Sequence, residues 1–151
     1  MLPLWRTVTR ERLWHGPWRT PMTTTLLSSP FGTHRNYNDG TYNGFHNGVD
    51  FRARPGTPIH APARGRVALA ETQKVFGNTV WIDHGWGVYS GYAHLDHWTV
   101  EVGRVVEPGD VIGAVGATGA VTGPHLHWEV RVLGVATAPL GWTLRDVGAV
   151  P

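Results

Sequence analysis

The chain has 151 residues, a length that suits one compact domain with its own core. Glycine (20) and proline (11) are abundant and charged residues make up only 16%, which argues for short strands joined by turns and against a helical bundle. Cysteine is absent, so any transition-metal site must use His, Asp or Glu, and a formal charge of +2 without a lysine/arginine run gives no reason to expect a nucleic-acid partner.

The opening "MLPLWRTVTRERLWHGPW" is interrupted by arginines and has no apolar h-region, so a signal peptide is not expected there. The chain is then either made without one or cut from a longer protein. No stretch approaches the roughly 18 consecutive apolar residues of a membrane-spanning helix. Residues 1–28 mix arginine, tryptophan and threonine without clear period and read as a lead-in segment, partly packed through its tryptophans. The domain proper is expected over residues 29–142, with 143–151 as a tail. Within it "GRVALA" (65–70), "NTVWIDHG" (78–85), "GVYSGYAHL" (87–95) and "LHWEVRVLG" (126–134) read as strands, from their alternation and β-branched and aromatic content. "VEPGDVIGAVG" (106–116) reads as strand–turn–strand, with Pro108-Gly109 suiting a type II turn. No helix of three turns is expected. The fold class is mainly β: a single glycine-rich antiparallel domain.

Three stretches carry candidate chemistry. In "GFHNGVD" (44–50), His46 and Asp50 are four apart and share a face on a strand. In "YSGYAHLDH" (89–97), His94 is expected at the end of an aromatic-rich strand. In "TGPHLHWEV" (122–130), His125 and His127 at i and i+2 point to one face, and Gly123-Pro124 opens the strand. Read alone, each fits a solvated face or loop as well as a site. Together they supply the ligands and spare imidazoles of a zinc hydrolase. Glu129 shares the face of His127 and suits either orientation of an imidazole or a structural salt bridge. His84 reads as structural, His60 and His97 as loop or surface residues, and His15 and His34 have no partner in the motifs. Tyr42, Trp86, Tyr92 and Trp98 flank the motifs as groove lining or as packing.

From about Ser29 to Trp142 the chain resembles the lysostaphin-type (LytM-like) zinc metallopeptidases that cut peptidoglycan peptides. The resemblance rests on "SPFGTHR" (29–35), "HNGVDFRARPGTPIHAPARGRV" (46–67), "GNTVWIDHGWGVYSGYAHL" (77–95), "VGRVVEPGDVIGAVGATG" (102–119) and "TGPHLHWEV", in the family's order. It implies one zinc held by His46, Asp50 and His127, catalytic histidines at His94 and His125, and a groove between loops. It also implies peptidoglycan peptides as substrate and a place in the cell envelope or outside the cell. The sequence does not fix the oligomeric state; a monomer is the favoured expectation. The chain departs from many relatives at Ala138-Pro139 and in "ATGAVTGPH", which bear on the groove wall. In some relatives an upstream segment covers the groove with a blocking ligand, for which Asn36, Asn38 and Asn43 are the nearby candidates.

Two other classes compete. Some relatives keep the fold, lose ligands and serve as non-catalytic peptidoglycan-binding or hydrolase-activating modules; this chain has all five residues. "VGRVVEPGDVIGAVG" is also similar to the hairpin of biotinyl/lipoyl carriers, but the only lysine, Lys74, lies elsewhere.

Overall fold

The computed structural model describes residues 4–23, 26–37 and 42–148. Apart from a 3-10 turn at Leu4–Arg6 and a single helical turn α1 (Gly141–Leu144), the described elements are strands. They are β1 (Leu27–Ser29), β2 (His34–Tyr37), β3 (Tyr42–Phe45), β4 (Gly48–Arg52), β5 (Pro58–His60) and β6 (Gly65–Gln73). There follow β7 (Gly77–Asp83), β8 (Val88–Trp98), β9 (Val105–Val106), β10 (Val111–Val115), β11 (His125–Val132) and β12 (Val135–Thr137). The mainly β antiparallel fold expected from glycine, proline and period-two patterning is the fold observed.

One sheet runs in the order β1-β4-β11-β8-β7-β6-β9, with β12 on β11 and β10 joining β5 to β8; β2 and β3 form a separate hairpin. Every pairing is antiparallel. β8 is central, and its first eight residues are all buried, the pattern of a strand covered on both faces. Its neighbours β7 and β11 contribute Val80, Ile82, Leu126, Trp128 and Val130 to the core. The expected turn at Pro108-Gly109 is present, and Gly109 has φ +92°, the conformation that proline-glycine turns reserve for glycine.

Two details differ from the sequence expectation. β8 runs on to Trp98 instead of stopping at Leu95, so His94 lies inside a strand. His60, expected in a loop, lies on β5 and pairs with Val111. Trp14 and Trp18 of the lead-in are buried in the same core as the sheet.

Candidate metal centre

The centre is built on the register of two strands. β4 and β11 pair so that His125 faces Arg52, His127 faces Asp50 and Glu129 faces Gly48. Directly opposed residues share a face, so the alternation of each strand brings three cross-strand pairs to one side of the sheet. His46, just before β4, joins them.

Gly48 makes room. A Cβ at this position would lie 2.4 Å from the Trp128 carbonyl oxygen and 2.8 Å from His127 Cε1. Glycine is the residue that lets the His127 ring lie across its neighbour strand.

His46 Nε2, His127 Nδ1 and Asp50 Oδ1 converge: the separations are 3.0 Å (His46 to Asp50), 2.9 Å (His127 to Asp50) and 3.1 Å (His46 to His127). All three residues are buried. Their outer atoms are already engaged. His46 Nδ1 lies 3.0 Å from the Pro30 carbonyl oxygen, to which it can only donate. His127 Nε2 lies 3.1 Å from Glu129 Oε2 and donates to that carboxylate. In the neutral rings the remaining nitrogens therefore carry lone pairs, aimed at each other and at a carboxylate oxygen. Such an arrangement repels itself unless a cation lies between. Ligand bonds of 2.0–2.1 Å in a tetrahedral zinc site would set donor atoms about 3.3 Å apart, close to the spacing here. Two imidazoles and one carboxylate, without thiolate, fit a zinc site with one open position.

Electrostatics agree. Burial pushes the Asp50 carboxyl up, but hydrogen bonds with His127 and His46, the His127 charge and the Arg35 guanidinium outweigh it and hold it far below the usual carboxylate range. Burial pushes His127 down, and Asp50 and Glu129 more than reverse it. In the metal-free pocket a proton on His127 thus answers the negative potential, and a metal must displace it.

Beside the triad stand His94 and His125, with ring centroids 4.8 Å apart. His94 Nδ1 donates to the Thr118 carbonyl at 2.9 Å and His125 Nδ1 to the Gly123 carbonyl at 3.0 Å. Each ring is pinned by its back edge to the 118–123 loop and leaves its Nε2 for other work. His125 Nε2 is 3.9 Å from Asp50 Oδ1. Burial, reinforced by His125 and His127, pushes His94 down to about 4 against the pull of Thr118 and Asp50, so its ring is neutral at pH 7. His94 is aimed by a β-bulge: Val80 pairs with Tyr92 but Asn78 with Leu95, leaving Ala93 and His94 opposite Thr79 alone. The φ of His94 is +63°, a strained value for a residue with a Cβ.

All five residues predicted from the sequence come together. Three neighbours of the centre were not assigned by the sequence reading. Arg35, from β2, reaches Asp50 Oδ2 at 2.7 Å and Ser29 Oγ at 2.8 Å, so the second carboxylate oxygen is held away from the metal position. Its presence in "SPFGTHR" was the available signal. Phe76 lies with its ring centroid 6.1 Å from that of His127 and 6.4 Å from that of His94. Arg52 lines the groove. Glu129, left between two roles, does both: it accepts from His127 and pairs with Arg131.

The remaining candidates fall elsewhere. His84 is fully buried, bonded to the Arg64 carbonyl and to Ser90. His97 is exposed and pairs with Asp96. Tyr92 is buried in the core, Trp98 packs against it, and Trp86 stacks edge-on with Trp14. Asn36 and Asn43 are exposed on the β2–β3 hairpin, Asn43 bonded to His34, while Asn38 and the side chain of Tyr42 lie outside the described residues. A groove of about 420 Å³ opens over Asp50, His94 and His125, walled by β1, β4 and the loop 120–124.

The chain resembles known proteins along most of its length. Residues 44–139 match the profile of Peptidase family M23. The DD-carboxypeptidase/endopeptidase Mpg of Neisseria meningitidis is 40% identical over 124 residues, 82% of this chain and 28% of that protein, so the chain spans under a third of this relative. A crystal structure of an M23 peptidase from Pseudomonas aeruginosa superimposes with a TM-score of 0.81 at 36% identity, over 93% of this chain and 56% of that one. A zinc-containing peptidase from Vibrio cholerae superimposes with a TM-score of 0.78 at 31% identity, over 83% and 39%. With a profile match over more than half of the chain and this degree of identity, the kinship is settled: the chain belongs to peptidase family M23.

Proposed function

We propose that this chain is a zinc-dependent endopeptidase that hydrolyses peptide bonds of bacterial peptidoglycan, working at the cell envelope or outside the cell. The observation that carries the reading is the convergence of three lone-pair donors beside two imidazoles tied to backbone carbonyls. The name of the Neisseria relative favours a D-alanyl bond of the stem cross-link as the one cut.

His46, Asp50 and His127 would hold the zinc. Zinc there supplies a Lewis acid for the scissile carbonyl and brings the acidity of a water to near neutral pH. His94, neutral and with a free Nε2, suits a base that takes a proton from the attacking water. His125, its ring centroid 4.8 Å from that of His94, suits a donor to the developing oxyanion or to the leaving amine. Arg35 engages Asp50 Oδ2 and would leave Oδ1 for the metal, and Glu129 accepts from His127 Nε2 and would leave Nδ1 for it. The alternative of a non-catalytic module gives no reason for two carbonyl-anchored imidazoles next to a complete ligand set.

The test is zinc content and hydrolysis measured on one preparation purified without chelator. We expect about one zinc per chain and release of peptide fragments from purified sacculi, identified by mass spectrometry. Activity intact at well under half an equivalent of zinc would remove the reading.

A further inference from the structure

Arg52 has no part in the hydrolytic chemistry above. It lies two residues beyond Asp50 on β4, on the same face, opposite His125 in register, and it is exposed in the groove. Two residues of strand put it about 7 Å along the groove from the metal ligand. It makes no ion pair among the described residues. Asp50 is the only carboxylate among the described residues that line the groove, and that carboxylate is engaged by Arg35, His46 and His127. With a metal ion present the charged groups of the described lining carry a net positive charge, and among them Arg52 offers an unengaged guanidinium fork that suits a carboxylate.

We propose that Arg52 is a specificity-determining residue that binds a carboxylate of the peptide substrate within two residues of the scissile bond. The groove therefore selects anionic peptides over neutral ones such as oligoglycine. This inference rests on the peptidase reading and deepens it. The carboxylate has two possible sources, a side-chain or acceptor-residue carboxylate near the cut and the C-terminal carboxylate of the peptide. Both present the same fork-matching pair of oxygens.

The experiment uses the zinc-loaded full chain and synthetic D-alanyl cross-linked peptides in four forms, with the internal and the C-terminal carboxylates each free or amidated. For the wild type, kcat/KM is expected to fall about 10- to 100-fold when the recognised carboxylate is amidated, the scale of one charged hydrogen-bonded pair. The arm that falls identifies the source. In Arg52→Gln the ratio of free to amidated kcat/KM should approach one, and Arg52→Lys should restore part of it. Zinc content and the circular dichroism spectrum report on folding of each variant. A wild type that cuts all four forms equally, or an Arg52→Gln that keeps the wild-type ratio, overturns the inference and leaves the peptidase reading standing. A wild type that cuts none of them, and no sacculi, overturns both.

Discussion

His125 and His127 stand two residues apart on one strand, yet their ring nitrogens are committed differently. His127 gives Nε2 to Glu129 and turns Nδ1 to the triad, while His125 gives Nδ1 to the Gly123 carbonyl. His127→Ala should lose most of the zinc together with activity, because one of three protein ligands is gone. His125→Ala and His94→Ala should keep the zinc and lose about 10²- to 10⁴-fold in kcat, the span of a proton-transfer or oxyanion contact. Metal stoichiometry paired with hydrolysis on each folded variant checks this; His125→Ala losing zinc as fully as His127→Ala would refute the division of labour. Gly48 offers a second test. A methyl group there meets backbone and the His127 ring at under 3.0 Å. Gly48→Ala should cost about 1–3 kcal/mol of stability through overpacking and should weaken zinc binding by displacing a ligand. Urea unfolding and chelator competition read the two effects, and wild-type values in both would show that the strand yields freely.

The lead-in segment is the element whose role the packing bears on most. Trp14 and Trp18 are buried, and their rings contact Trp142 with centroids 5.9 and 4.8 Å away. Backbone bonds tie Leu13 to His84, Trp18 to Trp142 and Arg19 to Pro62. Trp5 packs edge-on against Trp81. None of residues 4–23 lines the groove over Asp50, His94 and His125. These contacts favour bracing over inhibition. Deleting residues 1–23 should lower the melting temperature by more than 10 °C and should not raise the initial rate on peptidoglycan. Trp14→Ala, a milder lesion, should cost about 3–5 kcal/mol. An equally stable and faster truncation would show a cover instead of a brace.

For the molecule as a whole, the buried His84 sets an acid limit. Burial pushes it down to about 4, against the Arg64 carbonyl that pulls it up. In the unfolded chain a histidine titrates near 6.5. Between those values the unfolded state takes up a proton that the native state refuses. The stability from neutral His84 is therefore complete above pH 6.5 and is lost as pH falls toward 4. The difference amounts to about 3 kcal/mol, at about 1.4 kcal/mol per unit. Denaturant unfolding at pH 7.5 and 4.5 should show a stability loss larger by about 2–3 kcal/mol in the wild type than in His84→Gln, in which this position no longer titrates. Equal losses would mean that another group sets the limit.

The β class and the turn at Pro108-Gly109 could be read from the amino-acid sequence, because local period and adjacent residues carry them; the five residues of the centre were picked out by the family resemblance of the motifs that hold them, and the fold brings them together. Period-two alternation already puts His125 and His127 on one face, and the abundance of glycine and proline already disfavours helices. The tertiary structure alone decided which nitrogen of each histidine faces the metal position. That choice depends on Pro30 for His46 and on Glu129 for His127, and on Asp50, which is 77 residues from His127 and meets it only through strand register. It also decided the bulge that aims His94, the grip of Arg35 on Asp50, and the burial of the lead-in tryptophans in the shared core. Each of these needs partners brought together by long-range pairing, and a sequence pattern carries the local period of a strand but not the register between strands.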